Sequence, residues 1–223
     1  SDRWEVFPLK SECNNGTALQ DYSRRIGVPP SIKTDCAQSE LGTIWTDHCR
    51  TYCIDQQTTE PHSPWQNPGE PRIGNLNNMV SLLMETFNVP LGEHDWAQKW
   101  CCDCHNAAAS KRLDWHAPMA ISKGYTNDIS KFRFHIWEPI WYFCKQKAPA
   151  LSWAPGRWMG FAHNAGDDMT YMIKTEKKKG EGRNVYLIRS VICTRQKFIG
   201  TDREYVNNDS TNDDNLESLE LSF

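Results

Sequence analysis

Apolar side chains recur at Ala18, Leu19, Tyr22 and Ile26, a spacing that lines one face of a short helix over residues 17–26. Gly27 and then Pro29-Pro30 stop it. Ahead of that helix, residues 3–9 alternate as a strand does. Behind it, residues 31–35 read as a short strand ending on an acid, Asp35. Ser39 is placed to cap a second helix with Leu41, Trp45, Cys49 and Tyr52 on its inner stripe, and residues 53–58 read again as a strand. A loop rich in Pro and Asn spans residues 60–69. Then comes the clearest helix, with Ile73, Leu76, Val80, Leu83 and Phe87 spaced 3, 4, 3 and 4 as one seam. Another helix, over residues 95–110, holds Trp96, Trp100 and Cys104.

After Pro118 the period changes from helical to two. Residues 132–137 alternate, and strand-like runs follow at 140–143, 157–162, 169–175 and 185–193. Pro155-Gly156, Gly166-Asp167 and Lys179-Gly180-Glu181-Gly182 punctuate them as turns. The pattern predicts an α/β domain over 1–118, a mostly-β module over 119–198 and a tail over 199–223, with the boundary at 118–130.

Charge sharpens that division. The last 23 residues hold seven acids and one base, a charge of −6, so against −3 overall the remaining body carries +3. An acidic, Asn-rich tail of this kind reads as a disordered linker, and a mildly basic body is compatible with nucleic acid. With 39% hydrophobic residues the chain can bury a core. No run approaches the roughly 18 consecutive apolar residues of a membrane span, and no secretion signal opens the chain. The nine cysteines are odd in number and fall inside periodic segments, which predicts reduced intracellular thiols rather than disulfides.

The candidate chemistry lies in two carboxylates. Asp35 ends a predicted strand and Glu70 sits where a loop enters a helix, with 34 residues between them. Acids at a strand end and a helix start can converge on one spot and offer the oxygen ligands that Mg²⁺ prefers. The flanking residues are more specific. Lys33-Thr34-Asp35-Cys36-Ala37, the run from Gln57 through Thr59-Glu60-Pro61-His62-Ser63-Pro64-Trp65-Gln66-Asn67, and Gly69-Glu70-Pro71-Arg72-Ile73-Gly74 resemble the integrase region of copia-type LTR retrotransposon polyproteins. In that family a catalytic Asp ends a strand, and the catalytic Glu follows a T-x-P-x-x-P-x-Q-N segment and opens a helix. Further on, Asp128-Ile129-Ser130 and Trp137-Glu138-Pro139-Ile140-Trp141-Tyr142 look like the family's segment after the core. Pro155-Gly156-Arg157-Trp158-Met159-Gly160, Gly166-Asp167-Asp168-Met169-Thr170 and Ile188-Arg189-Ser190-Val191 look like its C-terminal module. The likeness spans residues 3–195.

The resemblance implies an α/β RNase H-like core, incomplete at its amino end, followed by a small mostly-β module of the SH3-like barrel kind. It implies a DDE polynucleotidyl transferase that uses Mg²⁺ or Mn²⁺ to join element DNA ends to target DNA, self-associates, and works in the nucleus. Asp35 and Glu70 are then the second and third catalytic, metal-binding acids. Gln66, Asn67, His62 and Arg72 lie near the DNA ends. Lys177, Lys178 and Lys179 fall in a predicted hairpin turn, where a solvated turn is the default reading and phosphate contact the alternative. The sequence departs from the family at three places. The family's first catalytic Asp belongs to a strand ahead of residues 3–9, the Asn that follows the second Asp is here Cys36, and Pro71 directly follows Glu70. A rival from another class is therefore carried alongside: a non-catalytic nucleic-acid-binding or assembly module derived from an integrase.

Cys101 and Cys104 with His105 have zinc-like spacing, and Cys49 with Cys53 is their one plausible complement. Because Trp96 and Trp100 continue the same helix side, small buried thiols are the expected reading and zinc is not expected. His48 and His94 are expected in surface or hydrogen-bonded roles. Arg157, Lys174 and Arg189 are candidates to extend a basic surface. The aromatic stripe Phe132, Phe134, Trp137, Trp141 and Phe143 is expected in the core rather than as a base-stacking platform.

Overall fold

A computed structural model describes residues 2–34, 42–60, 66–126, 128–144, 152–163, 165–166, 169–175 and 185–194. Asp35, Ser39, His62, Lys177, Lys178, Lys179 and the acidic tail lie outside them. The fold is mixed α/β and divides into two compact units, Glu5–Met79, and Ser1–Trp4 with Val80–Phe223.

The first unit holds α1 (Asn15–Ile26), β1 (Ser31–Thr34), α2 (Thr43–Thr51) and β2 (Asp55–Thr58). Strands β1 and β2 pair in parallel, from Ser31 opposite Asp55 to Thr34 opposite Thr58, so α2 is the crossover of a β-α-β unit. Leu19, Cys49 and Ile54 form its buried centre, with Ile32 and Trp45 packed against them. The two helices approach closely at Gly16, where a Cβ would stand 2.7 Å from Ile44 Cγ2 and 3.0 Å from the Trp45 nitrogen. Only glycine fits there without moving α2. Helix α2 starts at Thr43, Leu41 lies outside the described residues, and Tyr52 follows the helix end and is exposed.

Helix α3 (Glu70–Phe87) begins at the acid that the sequence singles out, but its seam is buried only toward the carboxyl end. Val80 and Met84 are inside, while Ile73 is 58% exposed.

The second unit holds α4 (His94–Ala107), α5 (Pro118–Lys123) and five strands: β3 (Pro139–Cys144), β4 (Ser152–Phe161), β5 (Tyr171–Thr175), β6 (Tyr186–Arg189) and β7 (Ile192–Thr194). All pairings are antiparallel, in the order β6-β5-β4-β3-β7. This order forces curvature. β6 ends at Arg189 and β7 begins at Ile192, yet they occupy opposite edges. Three Cα steps reach at most about 11 Å, whereas the edges of a flat five-stranded sheet stand about 19 Å apart. The sheet must roll up. A register shift between Trp158 and Gly160 bends β4, and Gly160, at φ 139°, takes a backbone conformation that side chains disfavour.

Inside the roll lie Trp158, Tyr171, Ile140, Ile173 and Ile136, with Trp100 of α4 closing the cluster edge-on to Trp158 at 4.7 Å between ring centroids. Through that packing α4 belongs with the sheet. A buried polar knot adds to it. Glu93, 2% exposed, pairs with the Lys174 ammonium and accepts a 3.0 Å hydrogen bond from the Tyr186 hydroxyl. Burial, and then the Glu93 charge, push the Tyr186 hydroxyl up to about 12, so it stays a donor. Lys174 is thus turned inward rather than extending a basic surface, its ammonium also lying over the Trp137 ring at 5.3 Å.

Two expected strands are absent. Residues 3–9 form no strand and join neither sheet. Instead the Asn106 side chain, 1% exposed, accepts from the Trp4 N–H at 2.8 Å and donates to the Trp4 carbonyl at 2.6 Å, taking the place of a neighbouring strand. Residues 132–137 do alternate in burial, with Phe134 and Ile136 inside. Their backbone nevertheless turns: Trp137 has φ 64°, and the His135 N–H donates to the Glu138 carboxylate at 3.0 Å. Of the aromatic stripe, Phe134 is core, and Phe132 packs on Trp100 at 5.4 Å.

Candidate functional site

In the first unit the parallel pair decides where chemistry can gather. Parallel strands present their carboxyl ends side by side, and ligands of α/β folds bind outside those ends. The ladder runs one residue past β2, because the Thr59 N–H donates to the Thr34 carbonyl at 2.9 Å. Buried Thr59 therefore stands beside the residue after which Asp35 follows.

From Thr59 the chain loops to Glu70, and the loop holds itself. The Glu60 N–H donates to Gln66 Oε1 at 3.2 Å, and Gln66 Nε2 donates back to Glu60 Oε2 at 3.2 Å. Asn67 Oδ1 accepts from the Gly69 N–H at 2.9 Å, and the Asn67 carbonyl accepts from the Glu70 N–H at 3.3 Å. The Arg72 guanidinium donates to the Pro68 carbonyl at 3.1 Å. These bonds fix the direction in which α3 starts. Pro71 follows comfortably, since the first helical turn needs no donor from it. Glu70 itself is exposed in the first turn of α3, and its carboxylate forms no ion pair among the described residues.

Gln66, Asn67, Glu70 and Arg72 are therefore contiguous, and three of them serve the loop. The reciprocal Glu60–Gln66 pairing, which spans five intervening residues, could not be read from the sequence; a polar pair flanking a Pro-rich stretch is its trace there. As for a divalent ion, the exposed Glu70 carboxylate has the hard oxygens that suit Mg²⁺. Among the described residues alone, no three His, Cys, Asp or Glu side chains gather where they could hold a metal.

The other candidates are engaged elsewhere. His48 Nε2 lies 2.9 Å from Ser23 Oγ, which donates onward to the Leu19 carbonyl, so the imidazole is the donor. His105 stacks on Trp4 at 3.7 Å, and its Nε2 donates to the Asp2 carbonyl at 3.0 Å. Cys101 is buried, and desolvation raises its thiol to about 11. Desolvation, then the Cys101 and Asp103 charges, raise Cys104 to about 12. Thiolates this disfavoured react slowly. With iodoacetamide at pH 8, exposed Cys13 and Cys53 are expected to label at least tenfold faster than Cys101 and Cys104, read by peptide mass spectrometry. Equal rates for Cys104 and Cys13 would show that α4 opens readily.

No protein-family model matches the chain, and no curated protein does. Among solved structures, it is similar to a chain in the cryo-EM structure of the simian T-cell lymphotropic virus intasome in complex with PP2A regulatory subunit B56 gamma, at 14% identity and a TM-score of 0.45. The match covers 84% of this chain and 66% of that one, so this chain spans just under two thirds of its length.

Proposed function

We propose that the chain is part of a copia-type integrase, comprising an RNase H-like core and an SH3-like C-terminal barrel, which joins DNA ends to target DNA. The observation that carries the reading is the Thr34–Thr59 hydrogen bond, which brings the end of β1 beside the strand that leads, through the self-bonded Gln66–Asn67 loop, to Glu70. The motif residues around Asp35 and Glu70 supply the chemical identity. The rolled sheet with consecutive β6 and β7 at its two edges supports the barrel.

In this reading Asp35 and Glu70 hold Mg²⁺ or Mn²⁺, which when bound would activate the attacking hydroxyl and steady the leaving oxygen. Gln66, Asn67, His62 and Arg72 form the rim that the DNA end passes, and Lys177, Lys178 and Lys179 contact phosphate from the barrel. Partner copies of the chain complete the assembly in the nucleus.

The test is strand transfer of a labelled duplex end in Mg²⁺ or Mn²⁺. Asp35→Asn and Glu70→Gln are each expected to lower it at least 100-fold, with circular dichroism unchanged. Activity that survives both substitutions would overturn the reading. A second reading, a non-catalytic DNA-binding or assembly module, is favoured by the internal bonding of Gln66 and Asn67, whose amides already serve the loop. It predicts no strand transfer, DNA binding that ignores both substitutions, and a steep loss of affinity with salt.

A further inference from the structure

In the second unit the turn after α4 closes tightly on itself. The Ser110 N–H donates to the His116 carbonyl at 3.2 Å, and the Trp115 N–H donates to the Ser110 carbonyl at 2.9 Å. Inside it, Asp114 and Trp115 have φ 50° and 63°, in the left-handed region. That region is uncomfortable for a side chain as bulky as tryptophan. Trp115 is nevertheless 71% exposed, so neither burial nor backbone comfort explains its presence. Backbone strain coupled to an exposed aromatic points outward, to something the ring meets.

Its neighbours say what. Lys111 and Arg112 belong to the same turn. Arg112 reaches Asp2 at 3.8 Å, and the next residue, Arg3, donates to Ser122 Oγ at 3.3 Å. Ser122 adjoins Lys123, whose ammonium lies 5.6 Å from the ring centroid of Tyr125, itself 58% exposed. Four cations against two carboxylates, Asp2 and Asp114, leave a net positive surface carrying two exposed aromatic rings. Cations interleaved with open aromatic faces are what unpaired nucleic acid binds: the phosphates meet the charges and the bases stack on the rings.

We propose that the Ser110–His116 turn, with Arg3 and the Lys123–Tyr125 segment, binds single-stranded nucleic acid, with Trp115 stacking on a base. The inference rests on the integrase-type reading only in taking DNA as the partner, and it adds a contact far in sequence from Asp35 and Glu70.

The experiment is fluorescence anisotropy with a labelled single-stranded oligonucleotide and its duplex, at two salt concentrations. Trp115→Ala is expected to weaken single-strand binding about 5- to 100-fold and to leave duplex binding within about twofold. Trp115→Phe keeps a stacking face and is expected to retain most of the affinity. Lys111→Ala should flatten the salt dependence. If Trp115→Ala binds single strands as the parent does, the inference fails while DNA binding by the chain stands. If the parent binds neither oligonucleotide, both readings fall. If Trp115→Ala changes only the sedimentation of the protein, the turn is a contact between proteins and the nucleic-acid assignment is wrong.

Discussion

Glu93→Ala is expected to destabilise the unit that carries the rolled sheet by about 3–5 kcal/mol, because it strands the Lys174 charge in the interior. Glu93 is 2% exposed and holds both Lys174 and Tyr186, which come from the neighbouring strands β5 and β6. Lys174 keeps only 13% of its side-chain surface exposed, so little water reaches it when the carboxylate goes. Urea unfolding followed by circular dichroism measures the loss, and amide hydrogen exchange locates it, with protection in β5 and β6 falling first. Replacing both ends together, Glu93→Leu with Lys174→Met, removes the stranded charge and is expected to recover much of the stability. A Glu93→Ala protein within about 1 kcal/mol of the parent would mean that the pair is far better hydrated than its burial implies.

The second large effect is expected at Trp158. Trp158→Ala empties the centre of the aromatic cluster, where Trp100, Phe134, Phe161 and Tyr171 all meet the indole, and such truncations cost about 3–5 kcal/mol. Trp158→Phe should behave differently. The indole N–H is fully buried with no hydrogen-bond partner among the described residues, a situation that costs about 1–3 kcal/mol. Phenylalanine removes that donor while keeping a ring, so the two changes partly offset and most of the stability is retained. Were phenylalanine as damaging as alanine, the indole N–H must find a partner after all.

Sequence pattern reveals elements where the local signal and the tertiary demand agree. Gly69-Glu70-Pro71 marks the start of α3 because a flexible residue, an acid and a ring-locked φ are each suited to a helix amino end, and α3 does begin at Glu70. Strand β3 follows its period of two for the same reason, with Ile140 and Tyr142 buried and Trp141 and Phe143 half-buried between and beyond them. At residues 132–137 the burial alternates as read, but Trp137 is left-handed, and the His135 N–H goes to the Glu138 carboxylate rather than to a neighbouring strand. The single run at 185–193 is split into β6 and β7 because the roll must be closed from both edges. Nothing local could announce the Glu93–Lys174–Tyr186 knot, whose members lie 81 and 93 residues from Glu93 along the chain. In the candidate site, Glu70 and its loop were legible from turn residues. The internal duties of Gln66 and Asn67 were not, because an amide looks the same in sequence whether it faces DNA or its own backbone.

The clasp between Asn106 and Trp4 has a consequence for the order of events during synthesis. Its two halves are separated by 102 positions, so the bond cannot exist until Asn106 has left the ribosome. By then the whole of Glu5–Met79 has already emerged as one contiguous stretch. Trp4, though translated before that stretch, is fastened only after it. For as long as the nascent chain is shorter than that, the Trp4 backbone waits in water for its partner.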